Sequence, residues 1–129
     1  MQVLTDTEGV VIRLMGGALF DSGKADVNAE YEKVLRRVVG ALRTENAVLA
    51  LEVTGHTDQV PMSKDNRRFA SNLELSQARA ESVRDLLVDY MQDPALRIFA
   101  KGVGATEPLA GYGPKASQQR RVEIRLLLK

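Results

Sequence analysis

The run Ala47-Val48-Leu49-Ala50-Leu51-Glu52-Val53 is almost unbroken apolar sequence and stops at Gly55. A run this short and aliphatic suits a central strand covered on both sides better than an edge strand open to water. The chain must therefore build a sheet around it. The run is also far shorter than the roughly 20 apolar residues that a membrane-crossing helix requires.

The flanking segments supply the other layers. Val10-Val11-Ile12-Arg13-Leu14 is a β-branched strand, followed by a loop punctuated by Gly16, Gly17 and Gly23. From Ala29 to Arg43, the apolar residues Tyr31, Val34, Leu35, Val38, Val39 and Leu42 recur at the spacing of one helix face. Ser71 with Glu74 three residues on reads as a capping box opening a second helix. Ala80, Val83, Leu86, Leu87 and Tyr90 continue its apolar face until Asp93-Pro94 ends it. Arg97 to Lys101 reads as a third strand. The charged and aliphatic residues that alternate from Arg120 to Leu128 predict a fourth, half-buried one.

The stretch from Gln59 to Ala70 has no period and is long for a connection, as is the Gly- and Pro-rich segment from Gly102 to Pro114. This order predicts an α/β sandwich with two helices on one side of a small sheet. With 129 residues and no internal repeat, one domain over residues 1–129 is expected.

Charge narrows the function. Eighteen basic and 17 acidic residues leave a net charge of +1, with no single-sign field for nucleic acid or an anionic membrane. Arg67-Arg68 and Arg120-Arg121 have acidic neighbours and no interleaved aromatic platform. The absence of cysteine excludes disulfides, thiolate metal sites and a catalytic thiol. The N-terminus carries no basic-then-apolar signal pattern, so a soluble domain is expected.

Two side chains invite a binding role. Asp58 follows the central strand, where α/β sheets present ligand-binding groups, although an Asx turn or helix cap is an equal alternative. Arg79 lies on the second helix between Ala78 and Ala80, which permit close approach to the sheet. A guanidinium held there requires an anion, either a ligand carboxylate or a salt bridge to Asp58 or Glu52. Together the pair suits a ligand bearing both an ammonium and a carboxylate. His56 is the only histidine, so His56-x-Asp58 lacks partners for a metal site, and no serine stands in a nucleophile-elbow context. Gly102-x-Gly104 lacks the remainder of a dinucleotide fingerprint. Neither cofactor nor catalysis is expected.

Taken in order, several motifs resemble the OmpA-like peptidoglycan-binding domain. They are Ala18-Leu19-Phe20-Asp21-Ser22-Gly23, Gly55-His56-Thr57-Asp58, Asn72-x-x-Leu75-Ser76-x-x-Arg79-Ala80-x-x-Val83, Gly102-x-Gly104-x-x-x-Pro108 and Arg120-Arg121-Val122-Glu123-Ile124. The long segment after Asp58 is similar to the variety found in flagellar stator MotB proteins and type VI secretion TssL-type anchors. Two positions depart: Gln119 stands where the family has asparagine, and Leu73 where the stator-like version has tryptophan.

The resemblance implies two helices on one face of a mixed four-stranded sheet. It also implies noncatalytic binding of the diaminopimelate in the peptidoglycan stem peptide. Asp58 would take the ligand's ammonium and Arg79 its carboxylate, with hydrogen bonds from Thr57 and Asn72 and a second positive contact from Arg120. It further implies a periplasmic fragment of a longer protein tethered to the inner membrane, anchoring a stator or secretion complex to the wall. The alternative is a dimerisation or interaction module with a vestigial wall site, in a possible homodimer, motivated by the aliphatic Leu126-Leu127-Leu128 and a possible edge strand.

Overall fold

The apolar run becomes strand β3, Val48–His56, and everything else in the fold is placed against it. The computed structural model describes residues 1–21, 23–44, 47–64, 66 and 68–128. In chain order, β1 is Gln2–Asp6, β2 is Gly9–Met15, the short helix α1 is Gly16–Leu19 and α2 is Ala29–Arg43. After β3 come α3, Asn72–Met91, then β4, Arg97–Gly104, a 3-10 turn at Ser117–Gln119, and β5, Arg121–Leu128. The sheet order is β1-β2-β5-β3-β4, with β3 and β4 parallel and the other neighbours antiparallel.

Register explains why one face is dry. Ile12 lies opposite Ile124, Ile124 opposite Val53, and Val53 opposite Ala100, a row of aliphatic side chains crossing four strands. The next row is Leu14, Val122, Gly55 and Gly102. These rows share one core with Leu35, Val38, Val39 and Leu42 of α2 and Ala80, Val83 and Leu87 of α3, so both helices pack on the same face. Because side chains alternate across a strand, the intervening residues Arg13, Glu123, Thr54 and Lys101 form a row on the other face. That face is laced by ion pairs from Arg13 and Arg121 to Glu123 and from Lys101 to Glu52.

The two missing side chains in the second apolar row set the position of α3. A Cβ on Gly55 would run into the Ser76 carbonyl oxygen, and one on Gly102 into the Gln77 amide and Ser76 Oγ. Helix α3 thus lies directly on β3 and β4. The vacated space is used for hydrogen bonds: Gly102 N donates to Gln77 Oε1 at 2.7 Å and Gly104 N to Ser76 Oγ at 2.9 Å. Ala80 is fully buried as expected, whereas Ala78 is half-buried, and the closest approach to the sheet is made by Ser76 and Gln77.

Both long helices start at side-chain caps. Asn28 accepts from Tyr31 N at 2.9 Å, and Ser71 Oγ accepts from Glu74 N at 3.1 Å. The return arm of the capping box reaches one residue further back than the motif predicts, with Ala70 N donating to Glu74 Oε2 at 2.7 Å. Helix α3 ends before Asp93-Pro94, at Gln92, whose φ of 50° turns the chain left-handed.

Several expectations are corrected. The sheet has five strands, because Gln2–Asp6 forms a hairpin with β2; its alternation is too polar to read as a strand, with Val3 exposed. The loop after β2 begins as a helical turn. β3 is an interior strand, but helices cover only one of its faces, and Leu49 within the apolar run is 55% exposed. β5 is not an edge: it is the middle strand of the sheet, paired on both sides, so Leu126-Leu127-Leu128 offers no free strand edge. Among the described residues, no helix is long and apolar enough to cross a membrane.

Candidate functional site

Four of the five residues expected to hold ligand converge where β3 leaves the sheet. Thr57 N donates to the Gly104 carbonyl at 2.9 Å and Gln59 N to the Pro114 carbonyl at 2.8 Å, which pins the strand exit between the end of β4 and the segment 105–116. Thr57 Oγ1 donates to the Asp58 carbonyl at 3.0 Å. Asn72, the first residue of α3, donates Nδ2 to the Val60 carbonyl at 2.8 Å and to the Asp58 carbonyl at 3.4 Å. These bonds hold the backbone that carries Asp58.

The Asp58 side chain has two occupations. Oδ1 accepts from Val60 N at 3.0 Å, the local turn that was the bland alternative for this residue. Oδ2 accepts from Arg120 Nη1 at 2.7 Å, and the Asp58 side chain is 7% exposed against 42% for Arg120. Arg120 therefore meets Asp58 in the free protein, beyond the added positive contact that the sequence resemblance implies.

Arg79 lies two helical turns beyond Asn72 and is buried. Its Nε donates to the Lys24 carbonyl at 2.7 Å and its Nη2 to the Asp21 carbonyl at 3.3 Å, with the guanidinium 4.7 Å above the Phe20 ring. Among the described residues it makes no ion pair. The salt bridge to Glu52 is not formed, since that residue pairs with Lys101 at 3.2 Å, and Asp58 pairs with Arg120 instead. Burial, and then the charge of Arg120, lower the Arg79 pKa to about 10 against the pull of Asp58. The group stays charged at neutral pH.

The result is a shielded cation held by carbonyls and a ring, with a carboxylate within electrostatic reach. That arrangement can bind a carboxylate beside an ammonium.

The paired arginines divide between two networks. Arg121 is buried, donating Nη1 to the Gln119 carbonyl at 3.2 Å and Nη2 to the Glu107 carbonyl at 3.0 Å, and its Nε lies 3.2 Å from Glu123 Oε2. Burial would raise the Glu123 carboxyl, but the adjacent His56, the Arg13 hydrogen bond and the Arg121 charge outweigh it and hold the group well below the usual carboxylate range. His56 is itself buried, its Nε2 3.5 Å from Glu123 Oε1. His56 and Asp58 thus serve different networks. Among the described residues, no group of three or more potential ligands is placed to hold a metal.

Sequence reasoning passed over three contributors. Phe20 entered only through the resemblance, yet it is the platform under Arg79. Lys24 and Asp21 contribute through their carbonyls, which no side-chain pattern can reveal. Gln119 proves structural: fully enclosed, its Oε1 accepts from Leu109 N at 2.7 Å while its Nε2 reaches the carbonyls of Leu109, Tyr112 and Gly113. It braces the segment beside Asp58 and makes no side-chain contact with Arg120. Ser22, Asp65 and Arg67 lie outside the described residues.

Comparison with known proteins places this geometry. Residues 19–122 match the model of the OmpA family. The chain belongs to the OmpA family. Among curated OmpA-family relatives, it is 33% identical over 123 residues to motility protein B of Bacillus subtilis, covering 94% of this chain and 46% of that protein. The chain thus spans about half the length of the curated relatives that it matches.

Among solved structures, the cell wall anchor of the type VI secretion system from Pseudomonas aeruginosa is 33% identical, with a TM-score of 0.81 over 98% of this chain and 88% of that one. A putative MotB-like protein from Desulfovibrio vulgaris is 25% identical, with a TM-score of 0.87 over 99% and 81%. The OmpA-like fold and the MotB-like variety of the domain are therefore established for this chain, with a fifth strand added to the expected four.

Proposed function

We propose that this domain binds peptidoglycan without catalysis, gripping the free zwitterionic end of diaminopimelate in the stem peptide. Arg79 carries the reading: a charged, buried guanidinium with no carboxylate partner among the described residues, within electrostatic reach of Asp58. Diaminopimelate presents an ammonium and a carboxylate on one carbon, matching that pair. Asp58 receives the ammonium, Arg79 the carboxylate, and Thr57 and Asn72 hold the loop that carries Asp58. The likeness to a cell wall anchor and to motility protein B supports a role as the wall-gripping part of a longer envelope protein. In that protein the domain is periplasmic, tethered to the inner membrane by a segment outside this sequence, and anchors a motor or secretion complex.

Retention on purified insoluble sacculi tests the proposal. The wild type should co-sediment, and Asp58→Asn and Arg79→Met should each weaken retention by about 2 to 5 kcal/mol, since each leaves a desolvated ligand charge unpaired. Equal retention of all three proteins would refute the assignment. The dimerisation alternative rests on the sheet edges β1 and β4, since β5 lies at the centre of the sheet.

A further inference from the structure

We propose that Arg120 is the residue that makes this site select zwitterions, by occupying Asp58 until a ligand supplies both an ammonium to displace it and a carboxylate to receive it. The inference rests on the wall-binding reading above and adds to it a mechanism of discrimination.

Both Asp58 oxygens are engaged in a side chain that is 7% exposed. Oδ1 accepts from Val60 N within its own turn, and an ammonium that takes Oδ2 competes with Arg120 Nη1, which sits there at 2.7 Å. The Arg120 backbone is fixed, with its N donating to the Ser117 carbonyl at 3.0 Å and its carbonyl accepting from Gly16 N at 2.8 Å. Its side chain is 42% exposed, and the Asp58 contact is its one described side-chain bond. The guanidinium can therefore rotate on a stationary main chain.

What it meets on leaving decides the selectivity. Arg79 is close enough for the two positive charges to oppose each other. A plain amine that takes Asp58 leaves Arg120 displaced beside Arg79 with no anion for either. A plain carboxylate pairs with Arg79 but leaves Arg120 on Asp58, so it gains one contact and has no ammonium to gain a second. A ligand with both groups resolves all three: its ammonium replaces Arg120 on Asp58, and its carboxylate lies between Arg79 and the released Arg120. The intramolecular pair thus imitates half of the ligand, and only a ligand with both groups can displace Arg120 from Asp58 and still give each of the three side chains an oppositely charged partner.

Three probes of one carbon skeleton separate these cases: diaminopimelate, its doubly decarboxylated form cadaverine, and pimelate, which lacks both amines. Each is titrated by NMR into wild type, Arg120→Gln and Arg120→Lys. Wild type should favour diaminopimelate over both others. In Arg120→Gln, cadaverine should bind about 1.5- to 5-fold more tightly, the worth of an exposed ion pair removed from competition, while diaminopimelate binds more weakly, so the preference narrows from both directions. Arg120→Lys, which keeps the charge without the planar fork, should fall between them. Diaminopimelate binding to wild type with unchanged or weaker cadaverine binding in Arg120→Gln would overturn the inference and leave the wall reading standing. A wild type that binds none of the probes would overturn both.

Discussion

Arg79 shows how a binding residue can oppose the fold that holds it. The lowering of its pKa to about 10 corresponds to a penalty of about 3 kcal/mol on the charged form. Against this stand two charged hydrogen bonds to carbonyls, each worth about 1.5 to 3 kcal/mol, and the contact with Phe20. The favourable side matches or modestly exceeds the penalty, so Arg79→Met should lose less than about 3 kcal/mol of stability in denaturant while losing wall retention. A loss of more than about 3 kcal/mol would instead make Arg79 a structural brace.

Glu123 acts in the opposite sense. Its carboxyl lies below its unfolded value of 4.5, so it contributes stability at pH above that value, and the contribution is lost as pH falls toward the folded value. Chemical denaturation at pH 6 and pH 3 should show an acid loss that Glu123→Gln reduces, with the variant already weaker at pH 6 because Arg13 and Arg121 lose their anion. Identical acid limbs in the two proteins would contradict this assignment.

Among the elements, α3 carries the candidate site, because its seat on β3 and β4 sets Asn72 against the strand exit and Arg79 against Phe20. Its start was legible in Ser71 and Glu74, since a capping box announces itself at fixed spacing. Ser71→Ala should cost about 1 kcal/mol by thermal melting. Its depth was not legible: Gly55 read only as the end of the apolar run and Gly102 as the start of a loop until the register set them side by side in adjacent strands. Gly102→Ala would push a methyl into the Gln77 backbone and Ser76 Oγ. It should destabilise by about 1 to 3 kcal/mol or more and weaken wall retention by displacing Arg79. Full stability in this variant would mean that the helix has slack.

Helix α2 was read to its final residue from periodicity alone, whereas β1 escaped because it is short, largely exposed and too polar to read as a strand. The position of β5 in the centre of the sheet is a fact of long-range pairing that local pattern does not encode.

In the whole molecule, the sheet separates two charge systems. On one face, Glu123 gathers Arg13, Arg121 and His56 around one carboxylate. At the strand exit, Asp58, Arg79 and Arg120 form a set with one positive charge in excess, which the proposed ligand carboxylate would meet. Both systems draw on the Arg120-Arg121 pair, whose members look equivalent in sequence and separate only when β5 pairs with its neighbours.

The central claim is that the domain holds the wall through a zwitterionic stem residue, and one comparison tests it directly: retention on sacculi whose stem peptide carries diaminopimelate against sacculi that carry lysine, which lacks the distal carboxylate. Wild type should be retained strongly on the first and weakly on the second, and Arg79→Met should bind both equally poorly. Equal, Arg79-independent retention of wild type on the two walls would contradict the account.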